Sequence, residues 1–371
     1  MMKFSVQREV LLKSMGLVSG VVERRQTLPV LANILFDIDG QKLSLTGTDT
    51  EVEITSHLQL AEPASDNGQV TIPAKKLLDI CKSLPEDSLI NFAMTENDKV
   101  VVTCGKSRFM LTTLPAHDFP NVEESESSAS FEITQGQLKR LIDRTAFAMA
   151  QQDVRFYLNG MLWEVNSGLL RAVATDGHRL ALCDLQSDAI QCEEKSQIIV
   201  PRKGIHELAR SLQQDEKPIM LIIGQNHLTA KTDDFIFITK LIDGKFPDYQ
   251  RVLPMTGNKV VLGSRQALKE AFNRAAILSN EKYRGVRLEL VSGQLLIRAN
   301  NPEQEEAEDS VSVDYQGDSL EIGFNVNYLI DVSNALTDET IKINLSDSNS
   351  SALVEESSGG DSLYVIMPMR L

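Results

Sequence analysis

Polar and apolar residues alternate in stretches such as Lys42-Leu43-Ser44-Leu45 and Lys342-Ile343-Asn344-Leu345, the two-residue period of antiparallel strands with one buried face. Between such stretches the period lengthens to that of an amphipathic helix, and it does so at matching places in three copies. KFSVQREVLLKSMGLVSG (Lys3 to Gly20), SFEITQGQLKRLIDRTAFAM (Ser130 to Met149) and VVLGSRQALKEAFNRAAIL (Val260 to Leu278) each run a short strand into a helix. Strand meanders follow over Asn33 to Ile54, Gly160 to Leu182 and Gly285 to Glu308. A second helix then starts from a β-rich stretch in Val70 to Leu84, Ile198 to Leu212 and Ile322 to Leu336. Pro73 and Pro201 precede two of these helices, and Asn325 stands in that place in the third. Each copy thus reads as two halves of strand, helix and roughly three strands, which predicts six helices and an α+β fold with the helices on one side of the sheets.

The offset is 127 positions from Phe4 to Phe131 and 128 from Pro73 to Pro201, far longer than the roughly 20 to 50 residues of a solenoid repeat. Each copy is long enough to be a domain with its own core. The joins place the domains at 1–125, 129–250 and 255–371. LTTLPAHDFPN (Leu111 to Asn121) and ITKLIDGKFPD (Ile238 to Asp248) close two copies with the same Phe-Pro-Asx. The acidic, serine-rich Val122 to Ser130 and the turn formers of Pro254 to Asn258 read as linkers. At 371 residues, 42% hydrophobic and 24% charged, the composition is that of a globular protein. No apolar run reaches about 18 residues and no signal peptide is visible, so a cytoplasmic location without membrane partners is expected. Cys81, Cys104, Cys183 and Cys192 show no CxxC pairing and read as reduced and mostly buried.

Charge changes the picture. The chain carries −15, yet the six helical stretches together carry +8, which leaves −23 for everything else. Five of the six are basic, and Val326 to Leu336 is the exception through Asp331. Basic helix faces in an acidic protein predict a polyanion held on one surface by contacts to phosphate, without sequence preference.

Helices packed side by side sit roughly 8 to 10 Å apart, so six closed into a ring leave almost no hole, whereas twelve leave roughly 25 Å. Two chains in head-to-tail association could therefore surround a DNA duplex. Complementary ends are available for such an interface. Lys76, Lys106, Arg108, Phe109 and Leu111 lie in the first copy, and Ile277, Leu278, Glu303, Glu305, Glu306 and Glu308 in the third. Apolar pairs rimmed by opposite charge suit a self-associating surface.

The threefold plan, together with TDGHRLAL (Thr175 to Leu182), FPDYQRVLP (Phe246 to Pro254), NNPEQEEAE (Asn300 to Glu308) and YVIMPMRL (Tyr364 to Leu371), closely resembles the bacterial DNA polymerase III β subunits, the sliding clamps, over essentially the whole chain. The resemblance implies a head-to-tail homodimer of the DNA clamp fold. Such a ring encircles double-stranded DNA, is opened by an ATP-dependent clamp loader and tethers the polymerase III catalytic subunit, without catalysis or cofactor of its own. It also implies a groove between the second and third copies for peptides of that subunit and of other polymerases and repair proteins. Its matching positions begin with Leu158 and the turn Thr175, Gly177, His178, Arg179 and Leu180. Pro247, Arg251 and Val252 follow, then Asn325, Tyr328 and Ser351, and the groove ends on Val365, Met367, Pro368, Met369 and Arg370. Leu, Val and Met give an adaptable apolar surface, while the arginines and Asn325 can hold polar ends. Asn349 and Tyr283 stand near it where relatives often carry more apolar residues, a change that bears on peptide preference. DNA contacts carried over in the same way fall on Arg25, Lys82, Gln152, Phe156, Tyr157, Arg202 and Lys203, the two aromatics reading equally as core.

Enzyme motifs are weak by comparison. Gly105-Lys106-Ser107 ends like a Walker A loop, but Val100 stands where the earlier glycine belongs and no helix follows. Asp176 and His178 could pair for acid and base work, which leaves a hydrolase or transferase as an alternative, beside a peptide-binding scaffold that does not encircle DNA. His57, His117, His178, His206 and His227 lack HExxH spacing, so no metal site is expected.

Overall fold

The structure, a computed structural model, describes residues 2–22, 28–95, 97–120, 127–192, 194–253 and 257–370. In the first copy β1 (Lys3–Gln7) enters α1 (Arg8–Val18), and β2 (Asn33–Asp39), β3 (Lys42–Thr48) and β4 (Val52–Gln59) follow. Its second half is β5 (Gly68–Pro73), α2 (Ala74–Ser83), β6 (Leu89–Met94), β7 (Lys99–Cys104) and β8 (Ser107–Thr112). The second copy repeats this as β9 (Ser127–Thr134), α3 (Gln135–Asp143), β10 (Gly160–Asn166), β11 (Leu169–Thr175) and β12 (Arg179–Gln186). It continues with β13 (Ser196–Pro201), α4 (Arg202–Ser211), β14 (Pro218–Gly224), β15 (His227–Lys231) and β16 (Phe235–Lys240). The third copy runs β17 (Lys259–Ser264), α5 (Arg265–Ile277), β18 (Gly285–Val291), β19 (Gln294–Asn300) and β20 (Glu306–Asp314). It ends with β21 (Leu320–Asn325), α6 (Val326–Ala335), β22 (Thr340–Leu345), β23 (Ala352–Glu356) and β24 (Ser362–Ile366). The expected half-repeat of one strand, one helix and three strands is present six times among the described residues.

Two expectations are corrected. The helix expected over 135–149 stops at Asp143 and gives way to a short 3₁₀ turn, Ala146–Ala148. The Thr145 hydroxyl donates to the carbonyl of Leu141 at 2.8 Å, a side-chain bond that competes with continuing the helix. The linker expected over Val122 to Ser130 is shorter, because Ser127 to Ser130 belong to β9 and pair with β14.

Two compact units are present, and neither coincides with one copy. One contains the first copy with Lys203–Leu241, the other Gln137–Ile190 with the third copy. The cause is visible in the sheets. In the first unit a sheet runs β5-β2-β3-β4-β16-β15-β14-β9, so β4 of the first copy pairs with β16 of the second. In the other unit β12 of the second copy pairs with β24 of the third, within a sheet that runs from β13 to β21. Continuous hydrogen-bonded ladders thus fuse half of the middle copy to each neighbour.

Alternation buries one side of each strand. In the first copy Phe4, Phe36 and Phe92 meet in the core, Phe4 stacking on Phe92 at 4.7 Å, and Leu11, Met15 and Val18 of α1 are fully buried. α1 packs on β3 and β4, and α5 on β19 and β20. Cys81, Cys104 and Cys183 are buried, Cys192 is half-buried, and all four are unbridged.

Candidate functional site

In the second unit, the β12–β24 ladder sets Leu180 opposite Val365. Leu158, Leu180 and Val365 are 2%, 3% and 1% exposed and pack with Phe246 and Tyr249, so they form a floor rather than an open wall. Above them, the turn between β11 and β12 is tightly built. The Thr175 hydroxyl donates to the Arg179 carbonyl at 2.6 Å and accepts from the Gly177 amide. Asp176 accepts from the amides of His178 and Arg179. Gly177 has φ +88°, a left-handed conformation that favours glycine. After β24 the chain is fastened on both sides of Pro368. The Met367 amide donates to His178 at 2.9 Å and the Met369 amide to Gly323 at 2.8 Å. Proline, having no N–H to donate, fits between them. Met367, Pro368 and Met369 are half-buried, while Arg370 and Pro247 are exposed. Val252 is 39% exposed, and Arg251 is exposed and paired with Asp248 at 2.8 Å. Ser351 is half-buried just before β23. Asn349 lies in the preceding turn, its amide on Asp347, and Tyr283 is exposed in a turn capped by Asn280.

The structure corrects one polar assignment. The Arg179 guanidinium is not directed at a ligand, because Nε donates to Asp176 at 3.1 Å, Nη1 to Asp331 at 2.5 Å and Nη2 to the Phe147 carbonyl at 2.6 Å. It also lies 4.5 Å from the Tyr328 ring and 5.2 Å from that of Phe147, in cation–π geometry. The Asn325 side-chain Oδ1 caps α6 by accepting from the Asn327 amide. Arg251 and Arg370, by contrast, are exposed cations. The reading from sequence missed Asp331 and Phe147. The one available signal was that Asp331 gives α6 the wrong sign among otherwise basic helices.

Beneath the segment carrying Arg251 and Val252, the Tyr249 hydroxyl donates to Glu164 and accepts from Arg171 at 3.2 Å. Arg171 in turn pairs with Asp184 through two bonds. Burial alone would raise the Glu164 carboxyl, but donation from Tyr249, Gln197 and Lys195 outweighs it and holds the pKa down. Burial, reinforced by Glu164, pushes the Tyr249 phenol up.

Among the described residues β8 and the start of β20 are strand edges, as are β1, β5, β9, β13 and β21 at the ends of their sheets. β8 pairs with β7 alone. β20 pairs with β19 along its length, but with β17 only at Val313 and Asp314. Arg108, Phe109 and Leu111 lie on β8, with Lys106 in the turn before it. Glu306 and Glu308 lie on β20, with Glu303 and Glu305 just ahead. Ile277 is 76% exposed at the end of α5, and Leu278 follows half-buried. Lys76 sits in the first turn of α2 and not on the edge.

Comparison with known proteins fits this arrangement. Models of the DNA polymerase III beta subunit match in series: the N-terminal domain over residues 2–123, the central domain over 132–248 and the C-terminal domain over 250–370. The chain belongs to this family. The beta sliding clamp of Pseudomonas putida is 61% identical over 370 residues, all of both chains being covered. The Pseudomonas aeruginosa clamp, solved bound to griselimycin, is 60% identical and superimposes with a TM-score of 0.96 over both full chains. The Thermotoga maritima beta subunit, at 28% identity, still gives 0.92 over both full chains. The function is that of a sliding clamp, a non-catalytic processivity subunit in DNA replication.

The residues assigned to DNA differ in character. Arg25 lies outside the described residues. Lys82 is exposed in the last turn of α2, beside a cavity of about 580 Å³ lined by Ser19, Asn33, Lys75 and Lys76. Gln152 is exposed and has φ +56°. Phe156 is 55% exposed, so it is not core, whereas Tyr157 is half-buried and packs against the groove floor. The remaining two are committed inside the clamp. Arg202 donates to the Met149 carbonyl at 2.9 Å, and Lys203 pairs with Asp49 at 2.5 Å. The count of basic helices therefore overstates the charge available to phosphate. Arg144 is buried on Glu356, Arg274 pairs with Asp309, and Lys13 with Asp234.

The enzyme readings end here. Both Asp176 oxygens accept bonds from the turn itself and from Arg179, which leaves His178 without a carboxylate partner in that pair. Gly105, at φ +54°, makes the tight turn between β7 and β8. No helix of the described residues is long and apolar enough to cross a membrane.

Proposed function

We propose that two copies of this clamp close head to tail into a ring around duplex DNA. One observation carries the reading. The last strand of the first half of copy one (β4) pairs with the last strand of copy two (β16), and that of copy two (β12) pairs with that of copy three (β24). The same rule, last strand of a first half with last strand of a neighbouring copy, leaves β20 and β8 to pair between chains. Unpaired edges are templates for strand addition, and their side chains are complementary, Lys106 and Arg108 facing Glu303, Glu305, Glu306 and Glu308. Phe109, Leu111, Ile277 and Leu278 complete this interface. Six domains result, divided in each chain at 1–125, 129–250 and 255–371, and twelve helices leave roughly 25 Å for DNA.

In this ring Lys82, Gln152 and Phe156 meet the duplex, through phosphate or brief base contacts and without sequence preference. The groove over Leu158, Leu180 and Val365, rimmed by Pro247, Val252, Met367 and Met369, receives short peptides of the polymerase III catalytic subunit and of other polymerases and repair proteins. It also takes griselimycin, the ligand in the Pseudomonas aeruginosa structure. A closed ring needs an ATP-dependent loader, and it works in the cytoplasm. Retention on a nicked circular plasmid, released when the circle is linearised, tests the topology. Equal retention on linear DNA rejects it, and so does a solution mass of one chain.

A further inference from the structure

We infer that Asp331, on α6, is a positioning residue for peptide binding: acting through Arg179, it fixes the Thr175–Leu180 turn of the second copy against the third. This rests on the groove reading above. Asp331 lies 2.5 Å from Arg179 Nη1 and is absent from the surfaces assigned to peptide, DNA or partner chain. Arg179 is 12% exposed and spends its other donors on Asp176 and the Phe147 carbonyl. Asp176 holds the amides of His178 and Arg179, and His178 accepts from Met367 on the groove rim.

One carboxylate from the third copy is therefore linked, bond by bond, to the turn and to the methionine segment. The Tyr328 ring, one helical turn before Asp331, packs on the same guanidinium at 4.5 Å. With Asp331, itself 37% exposed, removed, Nη1 of the largely buried Arg179 loses its charge partner, and the guanidinium is released to turn toward the solvent that Asp331 already meets. The turn then loses its tie to α6 while the apolar floor stays in place.

The test measures griselimycin affinity for the full-length protein, with its solution mass and Tm followed in parallel. Asp331→Asn is expected to weaken binding about tenfold, within the range seen for residues that act on a site without touching the ligand, and Asp331→Glu to recover most of the loss. In an Arg179→Lys background, where the fork geometry is already lost, Asp331→Asn should add little. An unchanged affinity in Asp331→Asn overturns the inference while leaving the groove reading intact. An equal loss in both backgrounds, or one that only follows a drop in Tm, also overturns it. Failure of the unsubstituted protein to bind griselimycin overturns the groove reading and this inference with it.

Discussion

The two internal seams have the same backbone and different chemistry. Each is an antiparallel ladder of five residue pairs, β4 with β16 and β12 with β24. The first is closed by apolar side chains, Phe237 opposite Ile54 with Phe235 and Val52 buried along the same ladder, and the exposed Lys13–Asp234 pair and the Lys203–Asp49 pair lie beside it. The second is clamped by ions. Arg144 and Glu356, each 6% exposed, pair at 3.0 Å, Thr337 donates to the same carboxylate, and Asp361 binds Arg140. A repeated fold thus fixes where modules join by strand pairing and leaves the adhesive to local sequence. The ionic seam should be sensitive to acid and to losing one charge of a pair, and the apolar seam should answer to lost volume and not to acid or salt.

The largest expected effect is Glu356→Ala, which strands the Arg144 guanidinium in the interior and should cost about 4 kcal/mol in denaturant unfolding. Replacing both residues with methionine should restore much of that, since a packed apolar pair avoids the desolvation cost. If the double variant is no better than the single one, the seam is not held as described. Phe237→Ala in the apolar seam should cost about 3 kcal/mol through the cavity left behind, with no change between low and high salt.

Acid separates the seams further. Burial alone would raise the Glu356 carboxyl, but bonds from Arg144 and Thr337 prevail and lower it from 4.5. A lowered folded value means that the stabilisation is fully present above the unfolded value and fades as pH falls through the folded one. Unfolding midpoints of the parent protein should therefore drop below about pH 4.5, and Glu356→Gln should remove part of that slope. Equal slopes would break the comparison.

Much of this architecture is legible in the sequence, because periods of two and of 3.6 are local and recur. The six helices fall close to where the pattern puts them, since each apolar stripe is read within a few turns. The early end of α3 is not legible, since the apolar period does not register the Thr145 hydroxyl taking the Leu141 carbonyl, and the Arg144–Glu356 pair, 212 positions apart, falls in no one window. For the same reason the groove motif names Arg179 without revealing that Asp331, Phe147 and Asp176 already occupy it. The floor of Leu158, Leu180 and Val365 was legible as apolar, but its depth depends on Tyr249 and Phe246 arriving from another stretch of chain.

The proposed intermolecular seam, β8 with β20, is of a third kind, with charge complementarity across exposed edges. Arg108→Glu sets it against Glu306 and its neighbours and should weaken dimerisation about tenfold at low salt, as like charges across an interface do. Adding Glu306→Arg should restore it, with the solution mass as the readout. Failure of the swap to rescue would move the contact off these two strands.

The smallest effect should come from the ion pair beside the apolar seam. Lys13 and Asp234 are 62% and 46% exposed and 3.2 Å apart, so solvent screens their attraction and holding two flexible side chains together uses up most of what remains. Lys13→Ala should cost less than about 1 kcal/mol, a difference that disappears at 1 M salt, where the Debye length is about 3 Å. The strand beside it should not notice, because the Asp234 carbonyl keeps its bond from the His57 amide at 3.1 Å whatever the side chain does. A loss as large as that of Glu356→Ala would mean that the first seam is ionic too, and the contrast between the seams would disappear.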